Sequence, residues 1–263
     1  MSSEWCETTL GVFAEINPKR TVSKNTVAPF IEMAALPTFR RDVTIADVVE
    51  RPFTGGGAKF TNGDTLLARI TPCLENGKTA LVSCLPPNTN GYGSTEFIVL
   101  APRSSNDKNF LYYLARGDEF RAYALSRMEG TSGRQRVPNN AVAQFSFLCP
   151  PEQERKLIGD FLAALDDRIA LLRETNATLE AIAQAMFKSW FVDFDPVHAK
   201  QQGIAPEDMD EATAALFPDS FEESELGLVP KGWKVETVGE NTSYLNRGVS
   251  PKYTETGGVL VIN

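Results

Sequence analysis

The sequence predicts an α+β fold: a strand-rich globular domain, then a long coiled-coil helix, then the opening of a second domain like the first. Three observations carry this. Residues 1–149 alternate short apolar runs with Gly, Pro and Asn punctuation. Residues 150–190 hold a seven-residue repeat filled throughout at two positions, apolar at all but Asn176. Finally, Trp5, Thr9 and Gly11 recur at the same spacing as Trp233, Thr237 and Gly239.

Taken in order, residues 65–70, 79–84 and 96–100 read as strands, since they are apolar, short and bounded by turn residues. Asn62-Gly63-Asp64, Asn76-Gly77-Lys78 and residues 86–93 read as turns or loops. Residues 109–125 are helical, with Phe110, Leu111, Leu114, Phe120, Tyr123 and Ala124 approximating one face. Residues 130–136, Gly-Thr-Ser-Gly-Arg-Gln-Arg, form a polar, flexible loop, and residues 142–149 return to a strand.

Pro150-Pro151 ends that strand, and Glu152 and Glu154 suit the positive end of a helix. The helix is expected to run to Trp190, a rod of roughly 60 Å at 1.5 Å per residue. One row of its repeat carries Ile158, Leu165, Leu172, Leu179 and Met186; the other carries Leu162, Ile169, Asn176, Ala183 and Trp190. Steps of three and four put both rows on one stripe, a seam that needs a partner helix. Asn176 is the polar position that can fix register. Phe187, Trp190, Phe191 and Phe194 close the helix as a set of aromatic anchors for a protein partner or for the segment that follows. Pro196 stops it.

Residues 191–228 read as an acidic linker or arm: from Asp193 to Glu225 there are ten acids and one base. Residues 229–263 then read as the start of a second domain.

Net charge is −8, but it is uneven: residues 1–149 carry 16 Lys+Arg against 14 Asp+Glu, and the remainder 10 against 20. The globular half can therefore present a basic face. No run of eighteen apolar residues is present and the N-terminus lacks a secretory pattern, so a cytoplasmic protein without membrane contact is expected. Cys6, Cys73, Cys84 and Cys149 lack metal-site spacing and read as free thiols. Gly77-Lys78-Thr79 imitates a phosphate loop, yet Pro72 stands where its first glycine belongs. Gly55-Gly56-Gly57 lacks dinucleotide-fold spacing, and the lone His198 sits in the polar arm as a surface residue. No catalytic set and no metal site emerge.

Several runs together resemble the specificity subunit of type I restriction–modification systems. They are Gly63 through Pro72, Glu75-Asn76-Gly77-Lys78, Ser94 through Leu100, and Gly133-Arg134-Gln135-Arg136-Val137. Cys149-Pro150-Pro151-Glu152-Gln153-Glu154 before the long helix and Phe187 through Pro196 at its end complete the set. These motifs follow one another in order across most of the stretch 60–196. The resemblance implies a target-recognition domain in residues 1–149, reading one half of a split double-stranded DNA sequence. It also implies a helix that sets the spacer and binds methyltransferase and restriction subunits. This chain would do no chemistry and bind no cofactor; S-adenosylmethionine would sit in the methyltransferase subunit. Such subunits have two recognition domains and two long helices, whereas this chain has one of each plus an incomplete second domain. It is therefore expected to be a fragment or a half-sized subunit that forms a homodimer through the helix.

DNA contact needs cations at phosphates and fork-shaped or amide groups at base edges. The candidates are Thr131, Ser132, Arg134, Gln135 and Arg136 on the polar loop, and Lys19, Arg20 and Lys24 near the N-terminus. Lys59 and Asn62 beside the triple glycine, and Arg69 and Lys78 flanking strands, complete them. A coiled-coil assembly protein whose globular domain binds another protein is the alternative reading.

Overall fold

The computed structural model describes residues 4–131, 133–245 and 248. The chain divides into two compact units, residues 1–175 and 176–263. The fold is α+β, as the sequence predicts.

In the first unit the chain begins with β1 (Cys6–Thr9), one turn of helix α1 (Leu10–Phe13) and β2 (Ala14–Ile16). There follow β3 (Val27–Ile31), β4 (Asp42–Val43), β5 (Val48–Pro52), β6 (Ala58–Phe60), β7 (Thr65–Ala68), β8 (Thr79–Val82), β9 (Gly91–Gly93) and β10 (Phe97–Pro102). Helices α2 (Lys108–Arg116), α3 (Asp118–Ser126) and α4 (Asn139–Ala143) come next, then β11 (Ser146–Cys149) and the helix α5 (Glu152–Phe191), whose residues from Asn176 on belong to the second unit.

The centre is a five-stranded sheet in the order β2-β10-β7-β8-β4, antiparallel except where β4 runs parallel to β8. Its middle strands are buried on both faces, and the strand period of two decides which face each side chain meets. Leu67, Ile98 and Leu100 point to a core shared with Leu111 and Ala115 of α2 and Phe120 of α3. Leu66, Ala68, Ala80, Val82, Phe97 and Val99 point to a second core, shared with Ile31 and Phe60. Those two belong to a four-stranded sheet, β5-β3-β9-β6. The result is three layers: helices, sheet, sheet. The predicted strands coincide with β7, β8 and β10 to within a few residues.

Two elements differ from expectation. The single helix expected over 109–125 is broken at Gly117, whose backbone is extended (φ −61°, ψ 149°). Its N–H caps the Tyr113 and Leu114 carbonyls, and Asp118 and Glu119 open a new first turn. The strand expected over 142–149 holds only from Ser146, because the Pro138 carbonyl accepts from Val142 N and starts α4 instead.

A two-stranded ribbon, β1 against β11, pairs Cys6 with Cys149 and Thr9 with Ser146. It brings the N-terminal segment to the start of α5, where Trp5 Nε1 donates to Glu154 Oε2 (2.9 Å). Helix α5 is anchored along its first turns. Arg155 donates to both carboxylate oxygens of Asp107 (2.7 and 3.1 Å) and to the Pro150 carbonyl (2.8 Å). At Gly159 the helix comes so close to α2 that a Cβ would stand 2.7 Å from Phe110 N. Ala163 is buried one turn on. Tyr113 Oη donates to Asp166 (2.7 Å), and Arg41 donates to the Ala163 carbonyl and to Asp167 (3.1 and 2.7 Å).

In the second unit the acidic segment folds. After Phe194, left-handed at φ 55°, Pro196 sits in the first turn of α6 (Asp195–Gln201). Proline here opens a helix as well as closing the previous one. Helix α7 (Glu211–Ala214) and the hairpin β12 (Phe221–Ser224) and β13 (Gly227–Pro230) follow. Val197 and Phe217 are buried, so the segment expected as an acidic linker or arm has a small core. His198 is exposed, its ring 4.6 Å from that of Phe221. The Trp233 repeat begins in this unit, but residues 246–247 and 249–263 lie outside the described residues. Trp233 to Gly239 forms no strand, and no facing strand for it occurs among the described residues. No helix is long and apolar enough to cross a membrane among the described residues.

Candidate nucleic-acid interface

Four of the candidate cations, far apart in sequence, line one open cleft of about 450 Å³: Lys19, Arg20, Lys59 and Arg69. Each wall is fixed by local structure. Asn17 ends β2 in a left-handed turn (φ 52°). Its N donates to Val99 O and its Oδ1 accepts from Val99 N (2.7 and 2.8 Å), which ties the 17–20 loop to β10. Asn tolerates this conformation and can bond the backbone from it. Arg20 then reaches Asp64, a nearly fully buried carboxylate 2.6 Å away. Burial pushes the Asp64 carboxyl above its usual range, while the Thr61 N–H and Arg20 pull against that shift.

Lys59 lies on β6 opposite Tyr92, its ammonium 5.4 Å from the Phe53 ring centre. Gly57 (φ 71°) must be glycine, since a Cβ would stand 2.4 Å from Gly93 O. Arg69 follows β7 and is held through its backbone, N to Glu96 O and O from Val137 N (both 2.9 Å). Its buried Nε has no hydrogen-bond partner among the described residues. Lys19, Lys59 and Arg69 make no ion pair among the described residues.

The polar loop adjoins the cleft at the Arg69–Glu96 edge. Arg136 grips the Glu96 carboxylate through Nε and Nη2 (2.9 and 2.7 Å) and holds it below the usual carboxylate range. Gln135 N donates to Thr71 Oγ1 and Gln135 O accepts from Thr71 N (3.1 and 3.0 Å). The base of the loop is therefore fixed, which corrects the expectation of a wholly flexible segment. Thr131 and Arg134 stand exposed at its tip, and Ser132 lies outside the described residues.

Other candidates separate from this site. Both ends of the Asn62 amide bond Leu85 backbone groups (2.7 and 3.0 Å), so it closes a turn. The Lys78 ammonium is taken by the Met33 and Ala34 carbonyls (2.7 and 3.1 Å), away from the cleft. Lys24 is exposed beside Gly55 and outside the cleft lining. Gly57 belongs to the candidate loop Gly55–Lys59, whereas Asn17 is not among the predicted site residues; its signal in the sequence is the Asn17-Pro18 turn. Among the described residues no group of His, Cys, Asp and Glu is arranged to hold a metal.

The helix seam is half-covered at Ile158 and Leu162. Beyond them Leu165, Ile169, Leu172, Leu179 and Met186 are 42–58% exposed, and Asn176 and Ala183 are exposed too. Leu157 and Phe161 form a second exposed apolar pair on α5 that the repeat did not include. The aromatic set divides. Trp190, Phe191 and Phe194 pack on Phe217 and Trp233, with centroids 5.7–6.3 Å apart, and so serve their own unit. Phe187 remains 60% exposed.

A family model described as type I restriction modification DNA specificity domain matches residues 2–181. The chain is 37% identical over 165 residues to the type I restriction enzyme HindI specificity subunit of Haemophilus influenzae, covering 61% of this chain and 34% of that one. It is 35% identical over 157 residues to the EcoAI specificity subunit of Escherichia coli, covering 59% and 26%. It thus spans about a third or less of the length of these relatives. Among solved structures, the HsdS subunit from Thermoanaerobacter tengcongensis superposes with a TM-score of 0.52 at 19% identity, over 80% of this chain and 52% of that one. A chain from a study of complex assembly and conformational transition of the type I R-M system gives 0.50 at 22% identity, over 90% and 54%. These two establish likeness of fold. With the family model matching over most of its length, the chain belongs to the type I restriction–modification DNA specificity family.

Proposed function

We propose that this chain is the part of a type I restriction–modification specificity subunit that recognises one block of a bipartite double-stranded DNA target. The observation that carries the reading is the convergence of Lys19, Lys59 and Arg69 in one cleft, none of them in a salt bridge among the described residues, with only Arg69 near enough to a carboxylate, Glu96, to affect it. Cations gathered in one cleft without salt bridges repel one another and are stabilised by an anionic ligand. The Arg134 loop tip beside the cleft supplies a second, adaptable contact.

Helix α5 serves as the spacer, pairing through its exposed seam with a second helix of the same kind, from a longer chain or from a second copy. The methyltransferase subunits dock beside it and supply S-adenosylmethionine and the pocket for a flipped adenine. Restriction subunits join that assembly in the cytoplasm, and this chain is non-catalytic. The test is co-expression with the methyltransferase subunits of the same system, followed by footprinting on genomic DNA. Two short protected blocks separated by an unprotected spacer are expected. Co-purification without protection of any DNA overturns the reading in favour of a protein-binding scaffold.

A further inference from the structure

We propose that the Lys19–Lys59–Arg69 cleft seats a phosphate of the DNA backbone, fixing the domain on the duplex without reading sequence. This deepens the DNA-recognition reading and rests on it. The groups left free in the cleft supply charge rather than a base code. Of the guanidinium groups nearby, Arg136 has its fork engaged with Glu96, and Arg20 has one terminal nitrogen tied to the buried Asp64. The Asn17 side-chain oxygen is occupied by the Val99 N–H. Arg69 has its Nε walled in, so only its terminal nitrogens can face a ligand. What remains besides it is two lysine ammoniums, compact charges with no directional fork.

The rim suits a backbone as well. Gly55, Gly56 and Gly57 all have positive φ (124°, 76° and 71°), and a Cβ on Gly56 would meet nothing within 4 Å. A bare, side-chain-free edge beside a cationic cleft lets a sugar–phosphate strand approach closely. Reading of bases then falls to the neighbouring loop tip at Thr131 and Arg134, which is exposed and makes no salt bridge among the described residues.

The experiment uses the full chain assembled with its methyltransferase subunits, on the duplex that footprinting shows protected and on a scrambled duplex of equal length. Binding is measured over a range of salt for wild type, for Lys19→Gln with Lys59→Gln, and for Arg69→Gln. Both duplexes are expected to lose affinity by the same factor, about tenfold, with the slope of log K against log salt shallower by about one unit per lost contact. On wild-type protein, one methylphosphonate linkage is expected to reproduce the loss and to add nothing in the lysine variant. That arm needs no altered protein, so a variant that folds poorly does not spoil the test. A loss confined to the protected duplex, or a changed base preference, overturns the phosphate seat in favour of base reading. Unchanged affinity and slope overturn it outright. If the wild-type complex protects no DNA, the functional reading itself falls; protection by wild type with indifferent variants removes only the phosphate seat.

Discussion

The first three turns of α5 and the turns from Leu165 onward belong to one helix, yet they meet their surroundings by different physics. Near its start the helix is held by close approach and charge. Gly159 and Ala163 let it lie against α2, Arg155 and Asp107 form a two-point ion pair, and Tyr113 and Arg41 bind the acids that follow. From Leu165 onward it offers large apolar side chains that nothing in the described chain covers well. Small residues and salt bridges fix a helix to its own domain at one angle. A bare apolar stripe is a surface that becomes stable only when a second helix removes it from water. The contrast shows a chain whose own domain is closed and whose helix is open to association.

The contrast can be broken at the clasp. Arg155→Ala leaves Asp107, 6% exposed in its side chain, without its cation. Removal of one partner from such a pair is expected to cost about 3 kcal/mol, read from urea unfolding of the globular unit. Gly159→Ala comes next. Helix propensity favours alanine by about 1 kcal/mol. The Cβ would stand 2.7 Å from the backbone of Phe110, so α5 or α2 must shift. A net loss of about 1–3 kcal/mol is expected, and a gain in stability would show that the close approach does not matter.

The seam sharpens the comparison in the opposite sense. Leu172→Glu is expected to leave the melting of the globular unit within about 0.5 kcal/mol of wild type, because Leu172 is half exposed. The same change should abolish helix pairing in sedimentation. Asn176→Leu should strengthen association while admitting more than one oligomer or register; one unchanged species would count against a seam position.

The smallest effect is at the loop. The Glu96 carboxyl is held below its usual range by its hydrogen bonds to Arg136. Its folded pKa lies below its unfolded one, so its contribution is fully present above the unfolded value, near pH 4, and is lost as pH falls through the folded value. The pair is partly exposed and screened by solvent, so the contribution is small. Wild type should lose slightly more stability than Glu96→Gln on acidification through that window. Equal acid sensitivity would remove the pair from the loop's support.

Much of the architecture was legible because it depends on local pattern. The strands β7, β8 and β10 declared themselves by apolar runs between turns, and α5 by its repeat after Pro150-Pro151. The basic residues were legible as types, but their roles were not. Lys78 and Lys59 look alike in sequence; one is spent on two carbonyls and the other faces a cleft. Asn62 and Arg134 both suggested groove reading, yet the Asn62 amide is paired with Leu85. The aromatic residues at the end of the helix allowed either role, and Trp190, Phe191 and Phe194 pack on Phe217 and Trp233 of their own unit.

The sequence by itself determined the α+β class, the long helix, the free apolar seam and the family, because periodicity, punctuation and motif order are properties of neighbours along the chain. Only the tertiary structure decided which cations share a cleft, which are neutralised by buried acids, and which glycine lets α5 lie against its own domain. Those outcomes depend on approach between residues distant along the chain, 44 positions for Arg20 and Asp64 and 48 for Arg155 and Asp107, where backbone distances and the few available carboxylates settle what each charge is free to do.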